Sequence, residues 1–146
     1  MTITFHNADE RNRREIEYLL LSNNLSVDDL FHAGTKYFLV RESNNVIGTA
    51  AFEYYNNDVL LRSVAISKDF QRLGIGSQFL DWIIAHARDS KAQSIILLTE
   101  AANHFFSKKG FKEIRRSSLV NKELLNSSQF QGSCCSSAIC MKMDLD

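Results

Sequence analysis

The chain has 146 residues, is 45% hydrophobic, and carries 17 Lys and Arg against 17 Asp and Glu. That composition fits one soluble globular domain over residues 1–146 and argues against both disorder and a nucleic-acid surface. No apolar run approaches a membrane span and no basic region precedes an apolar start, so neither a membrane partner nor a signal peptide is expected. Cys134, Cys135 and Cys140 are too crowded for a disulfide framework and read as reduced thiols of a cytoplasmic protein.

In chain order, residues 3–6 alternate as a first strand. Asp9 can cap a helix over residues 10–22, with Ile16, Leu19 and Leu20 on one face. A second short helix is expected over residues 27–31, capped by Ser26. Residues 37–42 and 46–55 read as strands around a turn at 43–45, and a turn at 56–58 leads to a strand over 59–66. These three strands should form an antiparallel meander. A helix over 76–90 buries Phe79, Leu80, Ile83, Ile84 and Ala87. The apolar run 94–99 fits a central strand covered on both faces. A short helix over 102–109 stops at Gly110, and a strand follows over 111–114. Ser118 is expected to cap a helix through Leu125. Residues 126–137 read as a long irregular loop, and 138–145 as the last strand.

The stretch Gln71-Arg72-Leu73-Gly74-Ile75-Gly76 lies between a strand and a helix. Such a loop aims backbone N–H groups at one point, with the positive end of the helix dipole behind them. Gly74 and Gly76 allow close backbone approach, and Arg72 and Lys68 add positive charge. The stretch suits a phosphate or pyrophosphate. It lacks the Gly-Lys-Ser/Thr of a Walker A loop and the third glycine of the dinucleotide fingerprint.

Here the sequence resembles the GNAT superfamily of acetyl-CoA-dependent N-acetyltransferases. The strand ending Ser63-Val64-Ala65-Ile66-Ser67, followed by Gln71 to Gly76, looks like the family's acetyl-CoA segment. Ala102-Asn103-His104-Phe105-Phe106-Ser107-Lys108-Lys109-Gly110-Phe111 resembles its A-x-x-F-Y-x-x-x-G-F signature. The resemblance implies an α/β (α+β) GNAT fold, a mixed sheet of about six to seven strands flanked by about four to five helices. It implies acetyl-CoA as cosubstrate, wedged between two splayed strands, and no metal. Val64, Ala65 and Ile66 would pair with the pantetheine arm as an added strand would. Gln71, Arg72, Leu73, Gly74, Ile75, Gly76 and Ser77 would hold the pyrophosphate. Thr99 and Phe105, with Ala102, would lie along the cofactor, and Lys108 or Lys109 near the nucleotide phosphate. A homodimer is also implied.

The reaction implied is direct attack of an amine on the thioester. Glu53, on a neighbouring strand, is the candidate base. Arg62 and Ser63 are the candidate substrate-binding residues, since a guanidinium clamps a carboxylate with two bonds. Arg62 is expected on the same strand face as Val64 and Ile66. The signature departs from the family at Phe106, where a Tyr commonly protonates the CoA thiolate, and at Thr99, where an Asn is common. Phe130 and Cys134-Cys135-Ser136-Ser137-Ala138-Ile139-Cys140-Met141 look like the end of a subgroup associated with arsenic resistance. Relatives there acetylate small amino-acid-like compounds, so the expected substrate is a small carboxylate-bearing amine. The competing readings are a protein or peptide N-acetyltransferase, a catalytically weak acyl-CoA sensor, and a generic nucleotide-phosphate domain.

Overall fold

The computed structural model describes residues 1–32, 34–132 and 137–145. The strands are β1 (Ile3–Ala8), β2 (Thr35–Glu42), β3 (Asn45–Tyr55), β4 (Asp58–Ile66), β5 (Ser94–Thr99), β6 (Lys112–Ile114) and β7 (Ile139–Asp144). The helices are α1 (Arg13–Ser22), α2 (Ile75–Asp89), α3 (Asn103–Lys108), α4 (Lys122–Leu125) and α5 (Ser128–Gln131). The seven strands form a sheet in the order β1-β2-β3-β4-β5-β7-β6. Two compact units make up the chain: Met1–Glu53 with Leu61–His86, and Tyr54–Leu60 with Ala87–Asp146. Among the described residues no helix is long and apolar enough to cross a membrane.

In the first unit, β1 and β2 pair antiparallel, as do β2 and β3. Asp9 accepts from the Arg11 backbone and completes a capping box with Asn12. A 3-10 turn over Glu10–Asn12 follows the cap and precedes α1. A ten-residue helix is marginal alone. Packing stabilises α1: Ile16, Leu19 and Leu20 are buried, and each such side chain contributes about 1.5–3 kcal/mol. Ile16 and Leu20 pack with Tyr37, Leu39, Ala51 and Ala65. A second, aromatic group joins Phe5, Phe38, Phe52, Phe79, Trp82 and His86 through ring contacts.

The expected helix over residues 27–31 is absent. Asp29 and Phe31 both have left-handed backbones, at φ 61° and 59°, which no helix accommodates. Ser26 accepts from the Asp28 N–H in a local turn instead.

In the second unit, β7 pairs antiparallel with both β5 and β6. Leu60, Ile96, Leu124 and Cys140 form its core. Gly110 follows α3 at φ 105°, as a C′ residue should. The helix expected from Ser118 begins later. Ser118 ends a 3-10 turn, and Asn121 caps α4 by accepting from the Leu124 N–H. The Asn121 side-chain amide donates to the Tyr55 carbonyl and to Asp58, whose other oxygen accepts from Ser94. These tertiary bonds fix where the helix can start. The stretch expected as irregular carries α5, capped by Ser127. Cys134 and Cys135 lie outside the described residues.

Candidate active site

Backbone geometry builds the first element of the site. Arg72 and Gly74 have left-handed backbones, at φ 66° and 83°. Such alternation makes a concave nest of N–H groups. The Gln78 N–H donates to the Gly74 carbonyl at 3.2 Å, so the N–H groups of Ile75, Gly76 and Ser77 precede that first helical bond. Residues 71–74 are exposed, Ile75 is buried, and Gly76 and Ser77 are half-buried. A Cβ built on Gly74 would meet nothing within 4 Å, so the loop faces open space. The loop stands at the positive end of a fifteen-residue helix, the kind of place that favours an anion. The Gln71 side chain serves the loop: its Nε2 donates to the Ile66 carbonyl at 2.8 Å and to Asn23 Oδ1 at 3.1 Å.

Side chains build the second element, around a break in β4. Ser63 has φ 58° in mid-strand. Alternation fails there, and Arg62 and Ala65 are buried while Val64 and Ile66 are half-buried. Ala65 packs with Ala51 and Tyr37, and Arg62 reaches Glu53, two residues along β3 from Ala51. The expected grouping of Arg62 with Val64 and Ile66 is therefore corrected. The left-handed residue rotates Arg62 to the Ala65 side of the sheet.

Glu53 is not a surface carboxylate. Its side chain and that of Arg62 are each 2% exposed and pair at 2.6 Å. The Arg62 guanidinium also donates to the Asp28 carbonyl at 3.1 Å and to Ser63 Oγ at 3.3 Å. A member missed by sequence reading is His32, whose Nε2 lies 2.9 Å from Glu53 Oε2 and 3.0 Å from Thr35 Oγ1. Thr35 stands opposite Glu53 in the β2–β3 register, a pairing that no local sequence signal marks. Tyr37 completes the cluster. Burial pushes its hydroxyl above the usual tyrosine range, with Arg62, Ser63 and the Phe31 backbone pulling the other way. Its Oη lies close enough to Ser63 and the Phe31 backbone to feel them but makes no well-aligned hydrogen bond, and its ring stacks on Phe31 at 4.3 Å.

The second unit holds the remaining predicted residues. Thr99 Oγ1 accepts from the Ala102 N–H at 3.0 Å and so shapes the entry to α3. Phe105 is half-buried, and Phe106 is buried between the rings of Phe105 and Phe111. Packing occupies the position where the family signature carries Tyr. Among the described residues, no group of three or more His, Cys, Asp or Glu side chains could hold a metal ion.

Comparison with known proteins identifies the family and the fold. The acetyltransferase (GNAT) domain family matches residues 33–113, more than half of the chain. No curated protein matches in sequence. Among solved structures, Rv2747 from Mycobacterium tuberculosis, in complex with CoA, is similar at TM-score 0.81 and 20% identity, over 98% of this chain and 99% of that one. A GNAT acetyltransferase from Elizabethkingia anophelis with acetyl-CoA bound is similar at TM-score 0.77 and 20% identity, over 98% of each chain. N-acetylglutamate synthase from Neisseria gonorrhoeae, complexed with coenzyme A and N-acetyl-glutamate, gives TM-score 0.83 at 15% identity, over all of this chain and 36% of that one. The mixed seven-stranded sheet with its five described helices is the GNAT fold. With the family match and the fold, this chain belongs to the GNAT family of acetyl-CoA-dependent N-acetyltransferases.

Proposed function

We propose that the enzyme acetylates the amine of a small substrate bearing a carboxylate, an amino acid or amino-acid analogue, by direct attack. The observation that carries this reading is the buried Glu53–Arg62 pair beside the Ser63 break, one residue before Val64. It sets a carboxylate and a guanidinium side by side, complementary to an ammonium and a carboxylate on one small molecule. Arg62 meets the substrate carboxylate by exchanging its longest contact, the 3.3 Å bond to Ser63 Oγ. Ser63 then bonds the same group.

The substrate arrives as an ammonium and must lose a proton before it can attack. Glu53 accepts that proton. Acetyl-CoA supplies the thioester carbonyl. The loop at residues 71–77 holds its diphosphate, Val64–Ile66 its pantetheine arm, and Thr99 and Phe105 complete the cofactor set. Backbone N–H groups of β4 stabilise the developing oxyanion. With Phe106 in place of a proton donor, the thiolate leaves as such, which a thiol of pKa about 8.5 permits.

The likeness of the C-terminal segment to the arsenic-resistance subgroup makes toxic amino-acid analogues part of this substrate class. A cytoplasmic homodimer joined through the last strands goes with the reading, and sedimentation velocity tests the dimer.

Free-thiol release from acetyl-CoA is measured across the common amino acids, phosphinothricin and arsenical amino acids. Each is run beside its decarboxylated amine, in the parent and in Arg62→Ala. Turnover that requires the carboxylate, with KM raised in Arg62→Ala, is expected. Equal turnover of the decarboxylated amines, or turnover confined to peptide N-termini, overturns it.

A further inference from the structure

Acetylating an ammonium forms one N–C bond and breaks one C–S bond. The nitrogen gives up two protons. Glu53 takes the first, the second leaves the nitrogen for water as the tetrahedral intermediate collapses, and the departed thiolate takes one up from water, so one net proton must reach solvent in every turnover. Glu53 has no direct route out, since its side chain is 2% exposed.

We propose that His32 is the proton exit for Glu53. This rests on the reading of Glu53 as the base. The imidazole bridges the buried carboxylate and water: Nε2 lies 2.9 Å from Glu53 Oε2, and the side chain is 31% exposed. Arg62 contacts the same carboxylate oxygen at 2.6 Å. A protonated Glu53 forfeits that ion pair, so it passes its proton on. The proton moves from Oε2 to a bare Nε2, the imidazolium gives its Nδ1 proton to water, and exchange of the ring protons with solvent restores the bare Nε2.

The surroundings suit an imidazole that changes charge each cycle. Thr35 Oγ1 lies 3.0 Å from Nε2, and a hydroxyl can donate to a bare ring nitrogen or accept from a protonated one. Asp29 Oδ2, at 3.6 Å, stabilises the imidazolium. Four elements present charged or titratable groups around the ring. They are Glu53 from β3, Arg62 from β4, Tyr37 from β2, and Asp29 from the ring's own loop. Arg13 of α1 stacks on Phe31, next to His32 in the chain.

Two measurements test the assignment. The first needs no substrate: the ring of His32 is titrated by NMR in the parent and in Glu53→Gln. Its midpoint moves to lower pH when the carboxylate is removed. An identical titration in both proteins overturns the coupling. The second is steady-state kinetics with the amino-acid acceptor that the panel identifies. In His32→Gln, which keeps a donor to Glu53 but cannot carry a proton, kcat falls about tenfold or more with CoA affinity unchanged. Added imidazole restores turnover in His32→Ala, which a purely structural role would not allow. His32→Gln at parent speed beside a slowed Glu53→Gln overturns the exit alone. Glu53→Gln at parent speed overturns the base reading beneath it.

Discussion

The glycine loop and the Glu53–Arg62 cluster belong to one compact unit, yet they are opposite kinds of site. The loop is exposed and made of backbone: what matters is the left-handed turns at Arg72 and Gly74 and the N–H groups of the first turn of α2. The cluster is buried and made of side chains, with a 2.6 Å ion pair at 2% exposure. A backbone site tolerates most side-chain changes and fails when φ is forced. A buried ion pair tolerates neither partner's loss, because the survivor is stranded without water.

The sharpest way to break that contrast is to remove one charge. Arg62→Met and Glu53→Leu should each destabilise the protein by about 3–5 kcal/mol, read by urea unfolding. The double variant should recover most of the loss, since no charge is then left buried alone. If either single change costs less than about 1 kcal/mol, the pair behaves as an exposed one and the contrast collapses.

The loop should respond differently. Gly74→Val places a β-branched residue at φ 83°, in open space. The strain is about 1–2 kcal/mol. The larger consequence is on binding: the loop relaxes, and CoA should bind about tenfold more weakly, or about 1.4 kcal/mol. Gly74→Asn should fall between the two, because Asn tolerates this conformation. Calorimetric titration with CoA alongside thermal unfolding separates the effects. Unchanged affinity in Gly74→Val would remove the loop from the diphosphate site.

The same contrast explains what could be read in the chain beforehand. The loop is local: six consecutive residues carry its turn chemistry, so sequence alone located it. The cluster is assembled by the register of a hairpin. At the turn Glu42 pairs with Asn45 and Arg41 with Val46, but a bulge between Arg41 and Val40, where β3 carries the extra residue Ile47, shifts the pairing so that Thr35 meets Glu53. Without that extra residue Thr35 would face Phe52, and His32 would not reach Glu53. The break at Ser63 is equally invisible, because serine has no preference for φ 58° and tertiary packing imposes it. Helix starts failed for the same reason. Asn121 and residues 27–31 follow their tertiary hydrogen bonds over local capping signals.

Phe106→Tyr asks whether the family's missing hydroxyl can simply be restored. Phe106 is buried between two rings, so a hydroxyl there lacks an evident partner. The variant should lose about 1–2 kcal/mol of stability, with kcat no higher than the parent's. A faster variant would mean that the position still faces the leaving thiolate, and that packing is not why phenylalanine stands there.

The smallest effect should come from Tyr37, where the cluster carries a defect of its own. Its hydroxyl is buried without a well-aligned hydrogen bond, and the phenol is harder to ionise in the folded protein than in the unfolded chain. The folded state therefore holds its proton more tightly. As pH rises past the ordinary tyrosine value of 10.0, the unfolded chain ionises first and stability falls. Tyr37→Phe removes both the stranded hydroxyl and this titration. It should stabilise the protein by up to about 1 kcal/mol at neutral pH and flatten the decline above pH 10. Tyr54, also shifted upward by burial, keeps part of that slope. Urea unfolding at neutral and alkaline pH reads both effects. A loss of stability in Tyr37→Phe would mean instead that the hydroxyl holds something in place, and Ser63 at the break in β4 is where that loss would be felt.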